Sequence, residues 1–162
     1  MEAYLIATAC TKFEKKADQT FKSLTEEVYC DLLKSAKVEN GNMIGQAWFG
    51  NCGMGTFGQN NIRGQVCFTP LVQKKLFPER VGIINVEGGC ATGSMAFHGA
   101  WKDVISGTED VSLAIGVEKI YQPNQPEKIQ EIYDGGIEQF DRNEWLQFYQ
   151  AIGKELGKPF EP

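Results

Sequence analysis

Val81-Gly-Ile-Ile-Asn-Val-Glu-Gly-Gly-Cys90-Ala-Thr-Gly-Ser-Met-Ala-Phe-His98 is the stretch from which the rest of the chain is read. A β-branched run ends in Gly88 and Gly89, Cys90 follows at once, and an apolar helix begins. That order puts a thiol at a strand-to-helix elbow, with Gly93 completing a glycine-rich turn. Helix N-termini carry unpaired N–H groups and the positive end of the helix dipole, and both favour negative charge. A thiol acts as a nucleophile through its thiolate, and the same N–H groups are suited to an oxyanion in acyl transfer. Cys90 therefore reads as a nucleophile. Its alternative is a small buried thiol without chemistry, the ordinary fate of a free cysteine.

Working outward, the strand Val81–Val86 and a helix from about Ala91 to Ile105 lead into a strand Val111–Val117. Upstream, Ala3–Thr11 is a short apolar run of strand type. Ser23-Leu-Thr-Glu26 has the form of a capping box, followed by Leu24, Val28, Leu32 and Ala36 at helical spacing, with Asn40-Gly41 as the stop. Met43–Phe49 is the next strand, and a helix over about Asn61–Leu76 should break or kink at Pro70. Strands alternating with helices predict an α/β fold with a parallel sheet, a βαβαβαβ core over residues 1–120. Ala91–Trp101 carries no formal charge, which predicts a helix buried on all sides. From Tyr121 to Pro162 the chain turns rich in Gln, Glu and Pro. There Asp141-Arg-Asn-Glu144 opens a helix with Trp145, Phe148, Tyr149, Ile152 and Leu156 on one face, a helical flap.

At 162 residues and 42% hydrophobic composition the chain is large enough for one domain with a real core. Net charge −5 argues against nucleic-acid or anionic-membrane surfaces. Five dispersed cysteines without C-x-x-C spacing suggest a reducing compartment, no disulfide framework and no metal site. No signal-like start or spanning apolar run is present, so a cytoplasmic location is expected. Gly53-Met-Gly-Thr-Phe-Gly58 matches G-x-G-x-x-G, but the strand before it is not the first, and alone the motif is a weak sign of dinucleotide binding.

Three segments together resemble the thiolase superfamily, most closely the sterol-carrier-protein-x type. Asn85-Val-Glu-Gly-Gly-Cys90-Ala-Thr-Gly-Ser resembles the nucleophile motif, Gly116-Val-Glu-Lys-Ile120 the Gly-x-Glu segment of the next strand, and Gly58-Gln-Asn-Asn-Ile-Arg63 the turn opening the second helix. The resemblance covers roughly residues 3–120. It implies a layered αβαβα fold with the helix after Cys90 in the central layer. It also implies that this chain is the N-terminal half alone, with residues 121–162 starting the flap insertion. The histidines and second cysteine that the C-terminal half of a thiolase supplies do not occur here, nor does the last strand of the N-terminal half.

The implied chemistry is attack of Cys90 on the keto carbon of a 3-oxoacyl-CoA, release of a shortened acyl-CoA, or acetyl-CoA, as an enolate-like leaving group, and transfer of the acyl group held on Cys90 to coenzyme A. The Cys90 N–H would be one oxyanion donor, and coenzyme A is a substrate here, with no covalently bound cofactor. Around it, Glu87 either tunes the pocket or caps a turn. His98 reads as a hydrogen-bonded core histidine or else reaches the pocket, and Glu118 as a maker of structural hydrogen bonds near a strand end or else as a pocket residue. Cys10, Cys30 and Cys67 read as core, and Cys52 as a loop thiol. Two rivals remain at this stage: a ketoacyl-synthase-type condensing enzyme, and a non-catalytic acyl-CoA-binding subunit or scaffold. The resemblance further implies a homo-oligomer and a small zinc-containing OB-fold partner.

Overall fold

The computed structural model describes residues 2–158. Three parallel strands form its sheet: β1 (Gln46–Gly50), β2 (Gly82–Val86) and β3 (Ser112–Gly116), in the order β2-β1-β3. The helices are α1 (Phe21–Ala36), α2 (Arg63–Gln73), α3 (Thr92–Ser106), α4 (Glu127–Asp134) and α5 (Arg142–Glu155). The α/β class, the parallel sheet and the strand–helix alternation are those expected.

Alternation along β1 builds the layers. Ala47 and Phe49 point into the buried core with Tyr29 and Leu33 of α1 and Cys67, Phe68 and Leu71 of α2. Phe68 is the hub, meeting Phe77 at 4.5 Å, Tyr29 at 5.7 Å and Phe49 at 6.3 Å between ring centroids, all edge-on. Such aromatic pairs add about 0.5–1.5 kcal/mol each beyond simple area burial. Gly64 lets α2 approach, since a Cβ there would stand 2.7 Å from Phe49 Cβ. Trp48 points to the opposite face, where α3 crosses.

Several boundaries move for identifiable reasons. Helix α1 begins three residues before the expected box: Thr20 is the N-cap, its side chain accepting from Ser23 N–H while Ser23 Oγ accepts from Thr20 N–H. It ends at Lys37, which adopts a left-handed conformation at φ 59°, so Asn40-Gly41 is not the stop. Helix α2 runs unbroken through Pro70. Helix α3 is not buried on all sides. Thr92, Ala96, Gly99 and Ala100 are buried, while Met95, Phe97 and Trp101 stand 43–55% exposed because no described residue packs on that side.

Residues 3–11 are not a strand. Among the described residues none of their backbone groups enters a hydrogen bond except Thr11 C=O, which accepts from Cys10 Sγ. Three strands stand where four were expected, because an extended segment becomes a strand only with a partner edge in reach. In the flap, Asp141 caps α5 by accepting from Glu144 N–H, as its sequence predicts, whereas α4 was not foreseen. No helix among the described residues is long and apolar enough to cross a membrane.

Candidate active site

Register brings the site together. Gly50 pairs with Val86 on one side and Gly116 on the other, so all three strands end at one level. The segments leaving them, Asn51–Gly53, Glu87–Cys90 and Val117–Glu118, meet at the carboxyl edge of the sheet, the edge at which open parallel sheets bind ligands.

Cys90 lies in a short 3₁₀ turn (Gly89–Ala91) between β2 and α3. Its thiol is free and exposed, and its backbone N–H has no partner among the described residues. The turn is held from three directions. Thr92, nearly buried, accepts from Gly88 N–H at 2.9 Å and donates to Gly89 C=O at 2.7 Å through one hydroxyl. Glu87 accepts from Gly89 N–H at 2.6 Å. Ala91 N–H closes onto Gly88 C=O at 3.0 Å. Gly89 sits at φ +56°, where an L side chain is strained. Gly88 has an extended φ, and its requirement is spatial: a Cβ would collide with Met95 Sδ. Gly93, by contrast, lies in the first turn of α3 with open space around it.

Glu118 organises the neighbouring loop. It accepts from Cys52 N–H at 2.9 Å, from Gly53 N–H at 3.1 Å and from Asn51 Nδ2 at 3.1 Å. The glycine-rich loop thus directs its first N–H groups at an internal carboxylate, and Gly53–Phe57 forms a 3₁₀ turn rather than opening a helix. Both features oppose a dinucleotide site. Asn51, 2% exposed, spans the strand ends: Nδ2 donates to Val117 C=O and Oδ1 accepts from Met54 N–H. Arg63 Nη1 donates to Asn51 C=O at 2.6 Å, and Asn85 Oδ1 accepts from Gly64 N–H at 2.6 Å. Asn51, Arg63, Asn85 and Glu87 line a polar hollow of about 160 Å³ beside the elbow.

Cys52 belongs to this neighbourhood, and burial pushes its thiol up, with the Glu87 and Glu118 carboxylates adding and Arg63 opposing. His98 is not a core histidine: it is exposed on α3, stacked on Trp101 at 5.4 Å, with no hydrogen bond among the described residues. The reason is the uncovered outer face of α3. Cys10 is exposed rather than core, Cys30 is half-buried, and only Cys67 is fully buried. Sequence reading missed Asn51 and Thr92 as site residues. Thr92 lay inside the quoted motif, but its double role depends on a turn geometry that spacing does not encode.

The chain matches the profile described as "Thiolase, N-terminal domain" over residues 3–143. It is 32% identical over 117 residues to the benzoylsuccinyl-CoA thiolase subunit BbsB of Thauera aromatica, a match covering 72% of this chain and 28% of that protein. An acetyl-CoA acetyltransferase of Methanocaldococcus jannaschii matches with the same identity and the same shares. The chain thus spans little more than a quarter of the curated relatives it matches.

Proposed function

The chain belongs to the thiolase family, and from that premise we propose that it carries the nucleophile of a thiolase-type acyltransferase acting on 3-oxoacyl-CoA. One observation carries the reading: Cys90 presents an exposed thiol and an unpartnered backbone N–H from the same residue, on a turn pinned by Thr92 and Glu87. A carbonyl carbon at the thiol would place its oxygen near that N–H, the arrangement acyl transfer requires. In the proposed cycle the Cys90 sulfur bonds to the keto carbon and the Cα–Cβ bond of the substrate breaks. The leaving acyl-CoA takes the electron pair and a proton. Coenzyme A thiol then attacks the thioester, restoring Cys90 and releasing the shortened acyl-CoA.

The acid/base group is assigned to other polypeptide. No described side chain hydrogen-bonds to the Cys90 thiol, and the single histidine of the chain is stacked on Trp101. One relative is named a thiolase subunit, which supports placing this chain in an assembly; a homo-oligomer and a zinc-containing OB-fold partner are what the family resemblance implies. The same incompleteness favours a second reading, an acyl-CoA-binding subunit without chemistry of its own. Thiolytic cleavage of acetoacetyl-CoA by the native assembly decides between them, followed by loss of the 3-oxoacyl-CoA absorbance. Cys90→Ser should abolish turnover while leaving assembly intact. Unchanged turnover in Cys90→Ser would remove Cys90 from the chemistry and leave the binding-subunit reading.

A further inference from the structure

Along the elbow from Gly88 to Thr92, every backbone N–H but one has a partner inside the turn. Gly88 N–H donates to Thr92 Oγ1 at 2.9 Å and Gly89 N–H to Glu87 Oε1 at 2.6 Å. Ala91 N–H donates to Gly88 C=O at 3.0 Å, and Thr92 N–H to Gly89 C=O. Cys90 N–H alone has no partner among the described residues.

That open N–H belongs to a peptide group whose other end is gripped. No peptide bond among the described residues is cis, so Gly89 C=O and Cys90 N–H share a plane and point in opposite directions. Gly89 C=O accepts twice from Thr92, from its hydroxyl at 2.7 Å and from its N–H. The sense of these bonds is fixed. Gly88 N–H can only donate and Gly89 C=O can only accept, so the hydroxyl takes one bond and gives the other. Holding the carbonyl sets the direction of Cys90 N–H, and hydrogen bonds on the carbonyl polarise the peptide group, making that N–H a stronger donor. Thr92 is itself wedged. It is 7% exposed, and its Cγ2 lies against the end of β1, where a Cβ added at Gly50 would stand 3.0 Å away. A β-branched side chain in that position has few rotamers open to it.

We propose that Thr92 is a positioning residue for acyl transfer, its hydroxyl aiming and strengthening Cys90 N–H as the donor to the substrate oxyanion. The inference rests on the reading of Cys90 as the acyl carrier and adds the group that sets the geometry of its donor. When the Cys90 sulfur bonds to the keto carbon, the carbonyl oxygen takes the π electron pair. It returns that pair as the Cα–Cβ bond breaks. An N–H released from its alignment would stabilise that oxygen less. Displacement of iodide from iodoacetamide by the same sulfur forms no oxyanion, so it needs the thiol and not the donor.

The test compares Thr92→Val, which keeps the methyl and the volume but removes the hydroxyl, with Thr92→Ser, which keeps the hydroxyl. In the native assembly given acetoacetyl-CoA, acetylation of the Cys90 peptide should slow by about 10–100-fold in Thr92→Val. KM should stay within about twofold, because the lost interaction belongs to the transition state. Thr92→Ser should recover most of the parent rate, and Thr92→Ala, which places no strain on Gly50, should be as slow as Thr92→Val. Alkylation of Cys90 by iodoacetamide should stay within about twofold of the parent in all three variants. Three results would overturn the proposal: Thr92→Val acetylated at the parent rate, Thr92→Ser as slow as Thr92→Val, or alkylation falling in step with acetylation. The last would make Thr92 a support of the fold alone. A parent assembly whose Cys90 takes up no acetyl group would instead overturn the reading of Cys90, and this inference with it, before any variant is compared.

Discussion

Two glycines of α3 should respond to the same substitution with opposite signs. Ala is favoured over Gly in a helix by up to about 1 kcal/mol, so propensity alone predicts that Gly93→Ala and Gly99→Ala both stabilise. At Gly93 nothing stands within 4 Å of an added Cβ, and the prediction holds. At Gly99 a Cβ would collide with the Trp48 ring at Cδ2 and lie 2.5 Å from Cε3. That ring cannot easily swing aside, because Trp48 Nε1 donates to Asp103 at 2.6 Å and the same carboxylate accepts from Ser112 Oγ at 2.7 Å. Overpacking costs about 1–3 kcal/mol, and a strained hydrogen bond to a charged group adds part of its roughly 1.5–3 kcal/mol. After the helix gain, Gly99→Ala should lose about 2–3 kcal/mol. For a chain of this size that corresponds to a fall in Tm of roughly 4–12 °C. Urea and thermal unfolding of both variants provide the assay, with Trp48→Leu/Gly99→Ala recovering part of the loss through coupling of neighbours. A Gly99→Ala protein as stable as its parent would refute the packing of α3 on β1 described above.

Asn51→Ala removes a nearly buried side chain that bonds to Val117, Glu118 and Met54. Left without those partners, the loop should lose about 2–4 kcal/mol in urea unfolding, whereas an effect under about 0.5 kcal/mol would deny Asn51 its bridging role. Cys52 should alkylate along a pH curve that rises above the ordinary thiol value of 9.0. Glu87→Gln should shift that curve downward by removing a carboxylate; an unmoved curve would separate Glu87 from Cys52. Cys67 and Cys30 are also pushed up, by burial first. The native thiols therefore hold protons that the unfolded chain releases, so their stabilisation is complete below the ordinary thiol range and is lost as pH rises through it towards the raised values. Urea midpoints should fall from about pH 8 to about pH 10, and Cys67→Ala should flatten that fall relative to its own starting value.

How much of this was legible in sequence depended on how local each cause is. The elbow at Cys90 was readable because Gly88, Gly89 and the apolar run of α3 lie next to one another. The cap at Asp141 was readable for the same reason. The start of α1 was missed because both Thr20 and Ser23 are credible caps and only the reciprocal hydrogen bonds choose. Residues 3–11 have strand composition, but a strand also needs an edge in bonding distance, which no local pattern supplies. His98 shows the same limit: the charge-free helix predicted cover on every side, while within the described residues only its sheet-facing side is covered. The anchoring of Cys52 and Gly53 by Glu118 joins residues 65 or more positions apart, beyond the reach of any local pattern.

The central claim, that Cys90 carries the acyl group, is tested most directly by trapping. The native assembly is exposed briefly to acetoacetyl-CoA without free coenzyme A, quenched in acid, digested and analysed by peptide mass spectrometry. The account predicts an acetyl group on the peptide containing Cys90, its removal on adding coenzyme A before the quench, and its absence from Cys90→Ser. An assembly that cleaves the substrate while Cys90 stays unmodified, or acylates at Cys52 instead, would contradict it.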